Sequence, residues 1–287
     1  MTAVMMRELR SYFQTPVGYV IVGLFLLVTG VLFTVFNMLS QSSDFSSFLS
    51  SFLILYVLVI PLLTMRLWSE ERRQRTDQLL LTSPITVTQI VVGKFLAAFI
   101  VYLITMVVTM LYAVVVGIFG DLIVSQTIGA YIGLILLGAS LISVGVLISA
   151  SAENQVSAAF FSVITLLLIF IIRIVKTAVP QTEGVASVFA VAAVVGIGVF
   201  FFTNTRNWIV TAAISVVAAG GFVLTYFIDA AVFRGLLGNL LDIISLFDRL
   251  ASFSIGIVKL EEVVFHLSFT SVLLFITIRL IERRRWA

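Results

Sequence analysis

Long apolar runs separated by short polar stretches extend along almost the whole chain. Because a bilayer core of about 30 Å requires about 20 apolar residues per helix, each run predicts a membrane-spanning helix. Eight runs qualify: residues 17–38, 48–67, 95–119, 128–150, 156–172, 186–202, 208–227 and 263–281. The pattern therefore predicts an all-α fold, a polytopic transmembrane helical bundle of about eight spans that forms a single domain over residues 1–287.

The fifth and sixth runs are the shortest and leave one alternative open. The segment between them, Arg173 to Val185, contains Pro180 and Gly184. The two runs could instead form a bent or re-entrant pair protected by neighbouring helices. That arrangement would lower the number of spans to six or seven.

Composition supports a membrane location and excludes several kinds of chemistry. The chain is 61% hydrophobic and 11% charged, which leaves too little polar surface to coat a soluble globule. It has no cysteine, so disulfides, thiolate metal sites and a cysteine nucleophile are excluded. The single histidine, His266, has no second metal ligand at a suitable spacing, which indicates a structural residue and predicts no metal site.

The chain also lacks a nucleotide-binding loop of the P-loop type. Gly93-Lys94 is the only Gly-Lys pair, but Thr88 stands where that pattern needs its first glycine and Phe95 follows the lysine. We therefore predict no cofactor in this chain. The net charge is only +3, and its distribution along the chain follows membrane orientation, so we predict no nucleic-acid partner.

The distribution of Lys and Arg between alternate loops predicts the orientation. Of the 17 basic residues, 12 fall on one side and 5 on the other, so the richer side is predicted to be cytoplasmic. The richer side carries Arg7, Arg10, Arg66, Arg72, Arg73, Arg75, Lys94, Arg206, Arg279, Arg283, Arg284 and Arg285. Both termini would then be cytoplasmic.

Two longer segments between spans are the places where function is expected. Residues 68–94 are cytoplasmic in this topology and combine a dense charged turn with three consecutive leucines. A short surface helix of this kind suits docking to a soluble partner, but a solvated loop that only fixes topology fits the composition equally well. Thr86 or Thr88 is a possible N-cap of the following helix. Residues 229–262 are external and show helical spacing of apolar residues, which predicts an amphipathic helix in the outer interface.

Ionisable residues are missing from the middle of the predicted spans. Proton- or ion-coupled carriers usually carry such residues, so the sequence offers no obvious coupling group for a secondary carrier. An intramembrane enzyme is also disfavoured, because no paired carboxylates, histidine cluster or nucleophile with a base falls within a span.

Three separated sequence patterns resemble the type-2 ABC transporter permeases, in particular their gliding-motility-type branch. The first is the N-terminal interfacial helix in residues 1–16, with Arg7, Glu8 and Arg10 in the stretch RELRSYF and Pro16 opening the first span. The second is the cytoplasmic coupling segment, residues 68–94. Its landmarks are Glu70, Glu71, Thr76, Leu79, Leu80, Thr82, Pro84, Gly93 and Lys94. The third is the ending, from Phe247-Asp248-Arg249 through Phe253 to the last span and Glu282-Arg283-Arg284-Arg285-Trp286.

This resemblance implies the membrane-spanning permease subunit of an ATP-driven exporter in the plasma membrane of a prokaryote, surrounded by membrane lipid. Its expected partners are two ABC ATPase subunits, which bind ATP and Mg, and a second copy of the permease or a related permease. The resemblance places charged docking contacts at Glu70, Glu71, Arg72 and Arg73, and apolar anchoring at Leu79 and Leu80. It also implies an external gate at Phe247, Arg249 and Phe253. The cargo class stays open among lipids, peptides, antibiotics and other amphiphiles.

The chain departs from the family pattern at two places. Arg75 precedes Thr76 where members usually carry glycine, and residues 173–227 have no counterpart in the six-helix permease. The latter region is predicted to be an added helical hairpin. Two other functions remain alternatives: a secondary carrier, and a membrane anchor that recruits a soluble complex through the Arg-rich segment.

Overall fold

A computed structural model describes residues 1–73, 85–178 and 245–285. Within those ranges the chain forms helices and short connections, without a β-strand. The helices are α1 Thr2–Gln14, α2 Pro16–Phe33, α3 Phe45–Ser50, α4 Phe52–Thr64, α5 Arg66–Arg73, α6 Val87–Phe119, α7 Val124–Ser151, α8 Gln155–Ala178, α9 Leu250–Ser254 and α10 Leu260–Arg285. Helix α2 continues as a π-helix over Thr34–Leu39.

Six helical stretches are long and apolar enough to cross a membrane in the described part of the chain. They are Pro16–Leu39, Phe45–Arg73, Val87–Phe119, Val124–Ser151, Gln155–Ile174 and Leu260–Arg283. These stretches agree with the first five and the last of the predicted spans. The predicted sixth and seventh spans, 186–202 and 208–227, lie outside the described residues, so the count of eight stays a prediction.

The chain divides into two compact units, one of residues Met1–Phe170 and Leu246–Ala287 and one of Ile171–Ser245. Most of the second unit lies outside the described residues. Its described part is chiefly the last two turns of α8, which continue through Arg173 to Ala178, so the connection predicted from Arg173 onward begins as helix. All that follows concerns the first unit.

The centre of the first unit is built from the second and fourth spans. In each of them 67% of the most apolar window is buried, against at most 33% in the other four. Small residues allow the close packing: a Cβ on Gly145 of α7 would lie 2.2 Å from the Thr64 hydroxyl of α4, and one on Gly138 would lie 2.3 Å from the Tyr102 ring of α6. Such contacts are typical of helices that associate within membranes.

Two buried tyrosine hydroxyls in this core have partners within the bundle. The Tyr102 hydroxyl donates to the Leu134 carbonyl at 2.6 Å and lies 2.9 Å from the Tyr56 hydroxyl. An unsatisfied polar group costs several kcal/mol in hydrocarbon. These hydrogen-bonded pairs therefore fix the relative register of α4, α6 and α7.

The helix of the third span begins before its apolar run. Helix α6 starts at Val87, eight residues before the run that begins at residue 95, because Thr86 forms a capping box with Gln89. The Gln89 amide donates to the Thr86 hydroxyl, and the Thr86 amide donates to the Gln89 side chain. Thr86 is therefore the N-cap, one of the two residues predicted for that position, and Lys94 lies inside the helix.

The segment predicted to be external also differs from the single amphipathic helix predicted over residues 229–262. Its described part, from residue 245, opens with a turn and then forms the short helix α9 before α10 begins. Gly256 ends α9 with a φ of 82°, a conformation that glycine adopts without strain. Its Cα would lie 3.0 Å from a Cβ on Gly129 of α7, which ties this turn closely to α7.

Candidate functional site

The N-terminal helix α1 packs lengthwise against the start of α6. Gly93 permits this approach, because a Cβ there would lie 3.1 Å from the Val4 side chain and 3.2 Å from the Met1 carbonyl. At the other end of α1, the buried Tyr12 hydroxyl donates to the Leu63 carbonyl at the end of α4 at 2.5 Å. Helix α1 is therefore held against the ends of two spans. We call this side of the bundle the basic end, defined by Arg7, Arg66, Arg72 and Lys94.

Lys94 joins three helices at the basic end. Its ammonium is fully buried and lies 3.0 Å from Glu8 Oε1 of α1 and 3.0 Å from Glu71 Oε2 of α5. It also donates to the Leu67 carbonyl and lies over the Trp68 ring, 5.1 Å from the centroid. Since α6 carries Lys94, one side chain connects α1, α5 and α6.

Arg7 binds the same two carboxylates as Lys94, from their solvent-exposed side. Its guanidinium donates to Glu8 Oε1 at 2.6 Å and to Glu71 Oε1 at 2.5 Å. We call Arg7, Glu8, Glu71 and Lys94 the ion cluster. Its two cations and two carboxylates balance, and the carboxylate side chains are only 14% and 15% exposed.

The cluster favours the charged forms of Glu8 and Arg7. Burial alone raises the pKa of the Glu8 carboxyl, but Lys94 and Arg7 outweigh burial and hold that pKa below its ordinary value of 4.5. For Arg7, burial acts to lower the pKa, and the bonds with Glu8 and Glu71 more than compensate, so the guanidinium pKa is raised. Charge-assisted hydrogen bonds of this kind are about twice as strong as neutral ones.

Helix α5 is fixed further by contacts with α1 and α7. Arg66 donates to Thr15 Oγ1 at 3.1 Å and to Ser11 Oγ at 3.3 Å. Arg72 donates to the Ala152 carbonyl at 2.7 Å and to the Ser151 carbonyl at 3.3 Å, at the C-terminus of α7 where a cation is favoured. The chain that leaves α5 after Arg73 is therefore attached to a rigid junction of four helices.

The predicted coupling residues fall into three groups in the structure. Glu71 and Arg72 contact their own chain as described, with the side chain of Glu71 largely buried. Glu70 is half-buried and Arg73 is exposed, as is Arg10 of the predicted N-terminal interfacial helix. Thr76, Leu79, Leu80 and Pro84 lie outside the described residues. Docking to an ATPase through any of these residues stays a prediction.

The predicted external gate residues are brought together at the opposite end, which we call the distal end. Phe247 and Phe253 are buried, and Phe253 packs against Gly133 of α7. Arg249 donates to Glu262 Oε2 at 2.8 Å and stacks on Phe265, 3.7 Å from the ring centroid. These contacts connect the turn before α9 to the start of α10. A gating role stays a prediction.

The charged side chains of the basic end hold the helices together through ion pairs and hydrogen bonds. Within the described ranges, no group of three His, Asp or Glu residues could hold a metal ion. His266, which is buried in α10, lies 2.9 Å from the Ser140 hydroxyl through Nδ1, so it has a hydrogen-bond partner as the sequence indicated. The ion cluster fixes helices relative to one another.

Sequence reasoning did not predict the burial of Lys94. It counted Lys94 among the basic residues of the cytoplasmic side, in the helical entry to the third span just before the apolar run that begins at Phe95. The capping pair Thr86 and Gln89 was the available signal, since a helix that begins at Val87 places Lys94 two turns inside it. A buried lysine in turn requires carboxylate partners, and Glu8 and Glu71 meet that requirement.

Comparison with known families adds one finding. A family model described as ABC-2 family transporter protein matches residues 15–232, which is well over half of the chain. No curated protein sequence matches the chain significantly. The matched range includes spans one to five and the coupling segment.

Proposed function

The chain belongs to the ABC-2 family of transporter proteins and is a multi-pass membrane protein, and we propose that it couples transport to a separate ATPase through the junction at the basic end. The ion cluster is the observation that carries this proposal. It joins the coupling segment at Glu71 to α1 and α6 through buried charges. A force applied to the chain after Arg73 would move these helices together instead of bending one of them.

The finer parts of the proposal follow from the family resemblance and the distribution of charge. The basic end faces the cytoplasm of a prokaryote, both termini are cytoplasmic, and transport is outward. Two permeases, identical or related, assemble with two ATPases that bind ATP and Mg. The exposed or half-buried residues Glu70 and Arg73, together with Leu79 and Leu80, contact the ATPase. Glu71 acts within the chain as a transmission residue.

The experiment is co-expression with an ABC ATPase subunit from the same organism, followed by co-purification and measurement of ATPase activity in lipid nanodiscs. Leu79→Asp with Leu80→Asp tests docking, and Glu71→Gln tests transmission. Glu282→Gln is the matched control, because Glu282 pairs with Arg279 on the exposed side of α10. The proposal predicts loss of co-purification for the leucine pair. For Glu71→Gln it predicts retained co-purification with ATPase activity that no longer responds to transported amphiphiles.

Two outcomes would overturn the proposal. If no ATPase co-purifies with the wild-type chain, a secondary carrier becomes the better interpretation. If the ATPase associates but none of the variants changes its activity, the chain acts as a membrane anchor. Glu282→Gln must behave as wild type for either conclusion to hold.

A further inference from the structure

The distal end contains two adjoining cavities between the first three spans and the start of α7. The larger, of about 580 Å³, is lined on its apolar side by Phe33, Met38, Val115 and Phe119. The smaller, of about 340 Å³, contains the carboxylates of Asp44 and Asp121. Ser43 lines both cavities, so the apolar and the acidic compartments adjoin. Their volumes lie in the range of small-molecule sites.

Asn37 provides an unused hydrogen-bond acceptor in the larger cavity. Its side chain is 6% exposed, and within the described part of the chain nothing hydrogen-bonds its Oδ1. The amide orientation is set, because Nδ2 donates to the Ser42 carbonyl at 2.9 Å. A buried acceptor without a partner is costly, and a ligand with an N–H or O–H group would satisfy it.

The backbone around Asn37 departs from a regular helix. Residues Thr34–Leu39 form a π-helix, and such insertions persist where function compensates for their cost. The turn that follows is fixed at both sides: the Asp44 amide donates to Ser42 Oγ at 3.1 Å, and the Asp121 amide donates to Ser43 Oγ at 3.3 Å. The connection that carries Asp44 is therefore held to the connection between α6 and α7 that carries Asp121.

Charge selects the ligand class. The hydroxyl and the backbone amide of Ser47 donate to Asp44, which lowers the pKa of the Asp44 carboxyl and keeps it ionised at neutral pH. Two carboxylates favour a cation, the buried amide oxygen favours a cation that carries N–H groups, and the apolar wall favours a hydrocarbon chain.

We propose that the distal cavities bind an amphiphile with a primary ammonium head, such as an ethanolamine phospholipid or a free alkylamine. The hydrocarbon chain lies along Phe33, Met38 and Phe119, and the ammonium lies beside Asp44 and Asp121 within reach of Asn37 Oδ1. This binding needs no ATPase, so it is independent of the proposed coupling function.

The test measures binding of radiolabelled dodecylamine to the purified chain in neutral detergent by scintillation proximity. Dodecylamine is expected to bind at least 10-fold more tightly than dodecanol or dodecyltrimethylammonium, which lack the charge or the N–H donors. Asp44→Asn with Asp121→Asn should weaken dodecylamine binding roughly 10-fold while keeping the helix cap at residue 44. Asn37→Leu should remove the preference for the primary over the quaternary amine. Glu153→Gln, distant at the other end of α7, is the control.

Competition by phospholipids identifies the source of the ammonium group. Displacement by phosphatidylethanolamine, without displacement by phosphatidylglycerol, indicates a lipid ligand. Failure of both phospholipids to displace dodecylamine indicates a free cationic amphiphile. Equal binding of dodecylamine and dodecanol, equal competition by the two phospholipids, or an unaffected Asp44→Asn and Asp121→Asn variant would overturn the proposal. Asp44 and Asp121 are both exposed, so their substitution should not prevent folding. The double aspartate variant therefore provides the decisive result if Asn37→Leu does not fold.

Discussion

Substitution of Lys94 by methionine tests the ion cluster directly. Methionine has nearly the same length and fills the space, but it leaves Glu8 and Glu71 with Arg7 as the remaining cluster cation. Removal of one partner from a buried ion pair typically costs about 3–5 kcal/mol, because the other charge remains in a poorly solvated place. Since the Lys94 side chain is 0% exposed, solvent screening should reduce this cost little. We expect the unfolding temperature to fall by roughly 10 °C.

A second substitution distinguishes the charge effect from a packing effect. Glu71→Gln added to Lys94→Met restores a balance of one cation, Arg7, against one carboxylate, Glu8. The double variant should therefore recover about 1–3 kcal/mol relative to the sum of the two single changes. Thermal unfolding of the detergent-solubilised chain, followed by circular dichroism, measures all three variants.

Lys259→Met is the matched control, because Lys259 is exposed just before α10 and the same chemical change should cost little there. The reasoning is refuted if Lys94→Met unfolds at the same temperature as Lys259→Met. It is also refuted if the effects of Lys94→Met and Glu71→Gln add without coupling, since members of one network must couple.

Three further changes test separate contacts. The folded-state pKa of Glu8 lies below 4.5. The contribution of Glu8 to stability is therefore present above about pH 4.5 and is lost as the pH falls through the folded-state pKa. Glu8→Gln should flatten the dependence of the unfolding temperature on pH in that acidic range. Gly145→Ala should destabilise the chain by about 1–3 kcal/mol, because its Cβ would meet Thr64, whereas Gly23→Ala, with open space around it, should be neutral or stabilising in the same thermal assay. Arg72→Ala should speed amide hydrogen exchange at the end of α7 around residues 149–152 by roughly 10-fold, with Arg73→Ala as the exposed control; equal exchange in both would contradict the Arg72 contact.

Hydropathy alone located six described spans to within a few residues at most ends, because the bilayer sets a length that a sequence must meet. The start of α6 lies farthest from the start of its apolar run. There Thr86, Gln89 and Lys94 are polar, so a count of apolar residues alone begins at residue 95, whereas the N-cap predicted at Thr86 or Thr88 marks where the helix begins. Capping and a buried ion pair satisfy those groups inside a helix, and both depend on partners that a local window does not include.

Most residues of the ion cluster could be singled out from the sequence, but their meeting in space could not. Arg7, Glu8 and Glu71 were all singled out, but as surface charges on two separate segments. Their convergence depends on Gly93, whose missing side chain lets α1 approach α6, and on Lys94, which supplies the central charge. Charged residues this far apart in the sequence pair because the helices that carry them pack together. Asn37 was not singled out at all, because one amide within an apolar run looks like an ordinary packing contact.

A rigid junction at the basic end has a mechanical consequence for how a partner could drive this chain. A docking segment on a flexible loop would absorb displacement in the loop itself. Here Arg66 fastens α5 to α1, Lys94 fastens it to α6, and Arg72 fastens it to α7. Helix α6 extends from this junction to Phe119 at the distal cavities. A tilt of α6 imposed at the basic end would therefore change the apolar wall of the distal cavity, so the proposed energy input and the proposed amphiphile site share one continuous helix.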